Sequence, residues 1–359
     1  MQRIIRALID GRALEHNLAR VRELIGSHRR VLAVVKANAY GHGLVPAALA
    51  LHDADAFAVA RLDEGLQLRA AGVRRPIVLL EGVFSAAELK IAAQANLELV
   101  VHNDLQLRLL EGQSLGHAFG LWVKVDTGMN RLGFRPEEFS AAWQRVRGLR
   151  PVPRALRVMT HLACADLPQH PLTAQQLERF ADLTAALGIE TSIGNSAGIF
   201  AGAASQGDWV RPGLALYGVS PFAGRSGAQL GLKPVMTLEA RVIACKAVRA
   251  GETVGYGAVW RAESERRIAI IAAGYGDGLP RHLAAGAPVL FAGGTAPLIG
   301  RVSMDMIAVD VTDLAGVQVG SVAQLWGPDQ PVESLARYAD TIPYELLCGV
   351  SQRVPVELS

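Results

Sequence analysis

Cysteine is scarce: Cys164, Cys245 and Cys348 are the three in 359 residues. They are odd in number and widely spaced, which fits neither a disulfide framework nor a zinc pattern, so no metal is expected. An excess charge of one sign is also missing. The 36 basic residues are offset by 33 acidic ones, leaving a net charge of +3. The bases are spread along the chain without the block or stripe that a nucleic-acid surface needs, so no nucleic-acid partner is expected. Long apolar runs are absent. Stretches such as IAIIAA at 268–273 are far too short to cross a bilayer. The opening MQRIIRALID has no apolar signal-peptide core. The expectation is a soluble cytoplasmic protein with no membrane partner. No G-x-G-x-x-G follows the first strand candidate, which weighs against dinucleotide binding.

What is present is core material. Half the residues are hydrophobic and 19% are charged, enough for a large core and, at this length, about two domains. Over the first 220 residues, short apolar runs alternate with amphipathic, alanine- and leucine-rich segments. The runs are VLAVV (31–35), AFAVA (56–60), IVLLEG (77–82), ELVV (98–101), LWVKV (121–125), LRVMTHL (156–162), ETSIG (190–194) and WVRPGLALYG (209–218). They are apolar throughout, as in a parallel sheet covered on both faces. Eight such β-then-α units suggest an α/β fold with an N-terminal (β/α)8 TIM-type barrel over residues 1–225, a doubly wound open sheet being the alternative. Past residue 225 the segments turn β-branched and are separated by turn signals such as AGET and AGG, with helical periodicity only around ESLARYAD (333–340). Residues 226–359 therefore read as a mostly β C-terminal domain. RIIRALI (3–9) also looks like a strand, and residues 1–10 could pair with this second domain rather than with the barrel. Ser85 and Glu88 suggest a capping box, and Gly72 a helix-ending glycine.

In a barrel, active-site groups sit at the C-terminal ends of the strands. Here Lys36 ends the first run, Lys124 lies in the fifth, His161 ends the sixth, Asn195 and Ser196 follow the seventh, and Arg211 starts the eighth. Tyr40 lies just beyond Lys36. Each alone reads as an ordinary strand-end residue, but their convergence on one mouth points to a site. A lysine at the edge of an apolar environment deprotonates readily, and a neutral amine can form a Schiff base with an aldehyde. Pyridoxal 5′-phosphate is the commonest aldehyde cofactor. Its phosphate needs donors, which backbone N–H groups near Ser196 and Gly213 could supply.

Eight segments, in order along nearly the whole chain, carry a family resemblance. They are AVVKANAYGHG (33–43), KVDTGMNRLG (124–133), NSAG (195–198), RPGLALYG (211–218), GYGAVW (255–260), GYGDGLPR (274–281), GRVSMDM (300–306) and IPYE (342–345). Together they closely resemble the motifs of the alanine racemases. The resemblance implies a barrel followed by a β domain, a homodimer with shared active sites, pyridoxal phosphate as cofactor, and interconversion of L- and D-alanine. It also implies a bacterial setting, with D-alanine made for the cell wall or L-alanine made for catabolism.

The resemblance further implies roles, position by position. Lys36 would hold the cofactor and serve as one acid–base group on the D side. Tyr256, from the other subunit, would serve the L side. Arg211 would meet the pyridine nitrogen and, with His161, lead hydrogen bonds toward Tyr256. Tyr40, Asn195, Ser196, Tyr344, Gly213 and Leu214 would complete the cofactor site. Arg131 would contact the phenolic oxygen and the substrate carboxylate. Met304 and Tyr275 would contact the substrate, with Asp305 and Arg281 shaping the entrance. Lys124 occupies a position that is carbamylated in many relatives, where the resulting anion orients the arginine.

One departure stands out. Some relatives carry histidine three residues before the NSA asparagine, and here that residue is Ser192, which can hydrogen-bond but not carry charge near neutrality. Alternative readings are a racemase of broader specificity, a barrel-type pyridoxal phosphate decarboxylase and a non-catalytic cofactor carrier. Arg211 and Tyr256 speak against the decarboxylase, and the second domain speaks against the carrier.

Overall fold

The computed structural model describes residues 4–112, 116–202 and 207–359. Arg3, part of the first strand candidate, lies outside them. After strand β1 (Ile5–Ile9), eight parallel strands form a closed barrel: β2 (Arg30–Val34), β3 (Ala56–Val59), β4 (Ile77–Leu79), β5 (Glu98–Val101), β6 (Gly120–Lys124), β7 (Ala155–Met159), β8 (Glu190–Asn195) and β9 (Trp209–Arg211). β9 closes the ring by pairing with β2, Val210 opposite Val31. Most of these strands are buried on both faces, which explains their continuous apolar runs. The barrel reading is thus the correct one and the open sheet is not.

The strand ends differ from expectation at β9. The sequence placed Arg211 at the start of a long eighth strand, whereas it ends a short one. Pro212 has no N–H to continue a ladder, and the chain goes on into a 3-10 turn, Leu214–Tyr217. At the Ser85 cap the hydroxyl accepts from Glu88 N at 3.1 Å, but the Glu88 carboxylate accepts from Phe84 N rather than from Ser85 N. The cap is therefore offset by one residue.

The second domain is an eight-stranded sheet built on β10 (Met236–Val248), with a separate two-stranded sheet of β11 (Thr253–Val254) and β12 (Trp260–Arg261). Met236, Leu238, Ala240 and Val242 are buried and the residues between them are less so, the period of two expected of a strand with one inner face. An irregularity at Val242/Ala244 lets β10 serve different partners along its length. Further strands are β13 (Arg266–Ile271), β14 (Pro288–Phe291), β15 (Gly294–Ile299), β16 (Ile307–Asp310), β17 (Val322–Trp326) and β18 (Val356–Leu358). The sheet order is β13-β16-β15-β14-β17-β10-β1-β18, with β10 also paired to β13. β1 lies antiparallel to β10 and parallel to β18. Besides the helix Val332–Tyr338, a second helix, Pro343–Gly349, follows in this domain. The sequence reading did not register this second helix.

The end of the barrel away from the site is closed by an ionic and aromatic plug. Glu98 is 4% exposed. It accepts from Trp122 Nε1 at 2.8 Å and from Arg157 at 3.3 Å. The Arg157 guanidinium lies 4.7 Å from the Trp122 ring and 5.1 Å from the Trp209 ring. Glu98→Ala leaves Arg157 without its most buried partner and opens space beside Trp122. It is expected to cost about 3 kcal/mol, read as a lowered urea midpoint with secondary structure retained in the absence of denaturant.

Candidate active site

Lys36 is half-buried where β2 gives way to the next segment. The following four residues, Ala37 to Tyr40, have φ of 53° or 54°. They form a turn of left-handed helix in which Ala39 N donates to Val35 O at 2.8 Å and Gly41 N to Ala37 O at 3.1 Å. Residues with a Cβ adopt that conformation at roughly 1–2 kcal/mol each, so other interactions must hold it. Asn38 Oδ1 accepts from Leu44 N at 2.8 Å. His42 Nδ1 lies 2.9 Å from Ala39 O and 3.0 Å from Tyr40 O, so that nitrogen bears the proton. Burial pushes His42 down to about 4, which keeps the ring neutral. Glu64 accepts from Ala37 N at 2.6 Å through Oε1. Nothing in the sequence marks Glu64: it reads as a first-turn acid of the helix Leu62–Ala70, and the 27 residues that separate it from Ala37 hide the contact. His42 is likewise an unremarked residue of a glycine-flanked motif.

Beyond this turn, hydroxyl groups gather around Gly213. The Tyr40 ring stands 4.8 Å from that of Tyr217 and 5.8 Å from that of Tyr344. A Cβ on Gly213 would strike Tyr40 Oη, so only glycine permits the approach. Ser196 Oγ accepts from Gly213 N at 3.0 Å and from Ala215 N at 3.2 Å, which leaves its own proton free to donate. The Tyr40 and Tyr344 hydroxyls have no hydrogen-bond partner among the described residues. Burial raises the pKa of both, that of Tyr344 to about 12, so both remain donors at neutral pH. Three hydroxyl donors beside a glycine are a chemically apt cradle for a phosphate. Tyr344 reaches this cradle from the helix Pro343–Gly349 of the second domain. That helix packs so closely on the turn that a Cβ on Gly41 would run into Leu347 O.

Across the mouth lies a field of cations. Arg211 is 4% exposed. It donates to Ser192 Oγ at 2.7 Å, to Thr160 O at 2.5 Å and to Ile193 O at 3.2 Å, and lies 3.3 Å from His161 Nδ1. Its Nε has no partner among the described residues. Ser192 passes the chain on by donating to Trp209 O at 3.0 Å. Burial lowers Arg211 to about 10, so it stays charged at neutrality. Lys124 is brought down to about 7, first by burial and then by Arg211, Arg131 and Lys36, with Asp126 opposing. Burial, then Arg211, Lys124, Arg131 and Lys36, hold His161 well below its usual range. Arg131 is exposed at the rim. Asn195 caps the short helix Ser196–Phe200 by accepting from Gly198 N at 2.8 Å.

The structure thus brings Lys36, Tyr40, Lys124, Arg131, His161, Asn195, Ser196, Arg211, Gly213, Leu214 and Tyr344 to one barrel mouth. It does not bring Tyr256, Tyr275 or Met304 there. These lie on the second domain, exposed to 66%, 41% and 52%. The loops bearing Tyr275 and Met304 are joined by Tyr275 N donating to Ser303 O and Gly276 N to Met304 O. Asp305 is exposed and paired with Arg353 at 2.7 Å, and Arg281 is exposed.

Known proteins resemble the chain along nearly its whole length. Residues 9–221 match the family description "Alanine racemase, N-terminal domain", and residues 235–358 match "Alanine racemase, C-terminal domain". The chain is 50% identical to an alanine racemase of Nitrosococcus oceani over 97% of its own length and 98% of the relative's. It is 47% identical to one of Shewanella piezotolerans over 98% of each. Among solved structures, the biosynthetic alanine racemase from Pseudomonas aeruginosa superposes with a TM-score of 0.96 at 45% identity, covering 100% of both chains. The alanine racemase from Bartonella henselae, solved with covalently bound pyridoxal phosphate, gives 0.88 at 33% identity, covering 100% of this chain and 99% of that one.

The depressed Lys124 predicts a pH dependence of stability. Its folded-state pKa of about 7 lies below its ordinary value of 10.5. Between those two values the unfolded chain holds the proton that the folded chain has released, so folding grows more favourable as pH rises through that window. In buffer free of carbon dioxide, Lys124→Met should therefore be more stable than the wild type below pH 7. That advantage should fade as pH approaches 10.5, as read by thermal melts across the range.

Proposed function

The chain belongs to the alanine racemase family, and from that premise we propose how its own residues exchange the α-proton of alanine between the two faces of the molecule. The reaction is an isomerisation, and alanine racemase is the activity of its full-length relatives. The observation that supports the reading best is the barrel mouth itself, where the half-buried Lys36, the buried Arg211 and the hydroxyl groups of Tyr40, Ser196 and Tyr344 are gathered.

The donor set fits pyridoxal phosphate. Lys36 would hold it covalently; Tyr40, Ser196, Tyr344 and the backbone at Gly213 and Leu214 would hold the phosphate; His161 and Asn195 would complete the cofactor site. When bound, the cofactor supplies an aldehyde for amine exchange and an electron sink at the substrate Cα. Arg211, a permanent cation, would meet the ring nitrogen through its free Nε and keep that nitrogen unprotonated. A weaker sink favours prompt return of the proton over side reactions. Arg131 would orient the substrate carboxylate.

Racemisation requires proton transfer on opposite faces. Lys36 Nζ would hold or accept the proton on one face, and Tyr256 Oη of a second subunit would do so on the other. The exposure of Tyr256, Val259, Met304 and Met306 on one domain supports a homodimer in which this apolar surface meets the neighbouring barrel mouth. Met304 and Tyr275 would then narrow the pocket to small side chains such as that of alanine. Lys124, available as a neutral amine near pH 7, would add carbon dioxide, forming an N–C bond and releasing a proton. The resulting anion would orient Arg131 and relieve the crowding of cations.

Loss of optical rotation from L-alanine tests the reaction. Lys36→Ala and Tyr256→Phe should each lower the rate by roughly a hundredfold or more. Mixing the two inactive variants and allowing subunits to exchange should restore about a quarter of wild-type activity, because half of the dimers then contain one intact shared site. No recovery on mixing would mean that Tyr256 acts within its own chain. Isotopically labelled bicarbonate should give a carbamate resonance in the wild type and none in Lys124→Ala; identical spectra would leave Lys124 a plain amine.

A further inference from the structure

Glu64 has no part in the chemistry above, yet its two carboxylate oxygens do separate jobs. Oε2 accepts from Ala60 N at 2.9 Å and Arg61 N at 3.1 Å, closing the first turn of the helix Leu62–Ala70. That half is ordinary helix capping. Oε1 reaches to the neighbouring strand end and accepts from Ala37 N at 2.6 Å, the amide directly after Lys36. We propose that Glu64 is a positioning residue for Lys36: its carboxylate latches the left-handed turn, so that the lysine amine and the Tyr40 hydroxyl are set in one pocket before the cofactor arrives. The inference rests on the roles assigned to Lys36 and Tyr40 above.

The other side-chain restraints on the turn act further along it, while the backbone bond from Ala39 N to Val35 O spans it. Asn38 holds Leu44 N, and His42 holds the carbonyls of Ala39 and Tyr40. The Ala37 amide has Glu64 as its partner, in a short, charge-assisted bond to a residue that is 9% exposed. Without that bond, Ala37 is free to relax toward the right-handed region, which re-aims the chain at Lys36. No other described interaction ties the end of β2 to the end of β3 through a side chain at this point.

Glu64→Gln separates the two jobs. An amide has one oxygen, and the helix end presents two N–H donors against one at Ala37. The oxygen stays with the helix, and the amide NH2 then opposes Ala37 N–H. In cofactor-free protein, backbone hydrogen exchange over residues 37–41 should speed up by roughly tenfold or more in E64Q, with the helix Leu62–Ala70 unchanged. The pyridoxal phosphate concentration for half-saturation, followed by the visible absorbance of the lysine-bound cofactor, should rise by a similar factor. Adding Ala37→Gly to E64Q should restore much of the lost affinity, because glycine takes positive φ without a steric cost. Should E64Q fail to fold, Glu64→Asp, which keeps the charge but shortens the reach, is read in the same way. Unchanged exchange at 37–41, unchanged half-saturation, or faster exchange confined to the helix would overturn the latch and leave Glu64 a helix cap. If the wild type itself fails to bond the cofactor at Lys36, the reading of the active site falls, and the positioning role falls with it.

Discussion

A guanidinium group almost fully withdrawn from water sets the terms for the barrel mouth. Burying a charge is costly unless its hydrogen bonds are replaced, and Arg211 replaces them with the Ser192 hydroxyl and Ile193 carbonyl of β8 and the carbonyl of Thr160, just past β7. Once fixed there, it decides which neighbours can be charged. Lys124 and His161 are both pushed toward neutrality, with Arg211 as the largest cause after burial. The result is a pocket kept electropositive by permanent cations, Arg211 inside it and Arg131 at its rim, in which Lys124 and His161 are drawn toward their neutral forms. Such a pocket favours an anionic ligand and permits amine chemistry at neutral pH.

The position of Arg211 depends on how the chain is threaded. β1 lies in the second sheet, the barrel follows, and the chain then returns to the same sheet through β10 and β18 beside β1. Asn17, fully buried on the helix Gly11–Ile25, donates to Leu216 O at 3.0 Å and to Lys233 O at 2.8 Å. It therefore pins the 3-10 turn after Arg211 to the barrel's first helix and to the connection between the domains. From the other side, the helix Pro343–Gly349 presses on the turn after Lys36 and contributes Tyr344. The second domain is in this sense part of the mouth of its own barrel.

Much of this was legible in the sequence, and what was missed follows a pattern. The eight apolar runs mark the eight barrel strands because a strand buried on both faces has no polar alternation to obscure it. The strand-end residues Lys36, Lys124, His161 and Arg211 are legible for the same reason, as polar residues interrupting apolar runs. Glu64 and His42 are not, because their work is done on backbone groups and leaves no signature of residue type. The left-handed turn is equally silent: Ala37, Ala39 and Tyr40 are not residues that favour positive φ, and only Asn38 and Gly41 hint at it. Arg211 was misplaced within its strand because Pro212 ends a ladder without interrupting the apolar pattern around it.

The architecture also bears on why, on the proposed reading, the acid–base pair is divided between domains. In a parallel barrel every strand presents its C-terminal end in the same direction, so the groups at the mouth reach a bound planar ligand from one side. A group for the opposite side must come from outside the ring of strands. Tyr344 shows that this chain's own second domain can reach the mouth, but it does so from a helix that is already committed to packing against the turn. The loops bearing Tyr256 and Met304 lie elsewhere on that domain and are exposed. On the proposed reading, a second copy brings them to the vacant side, and the twofold relation of a dimer gives each barrel mouth the tyrosine it lacks without any change in the fold of either chain.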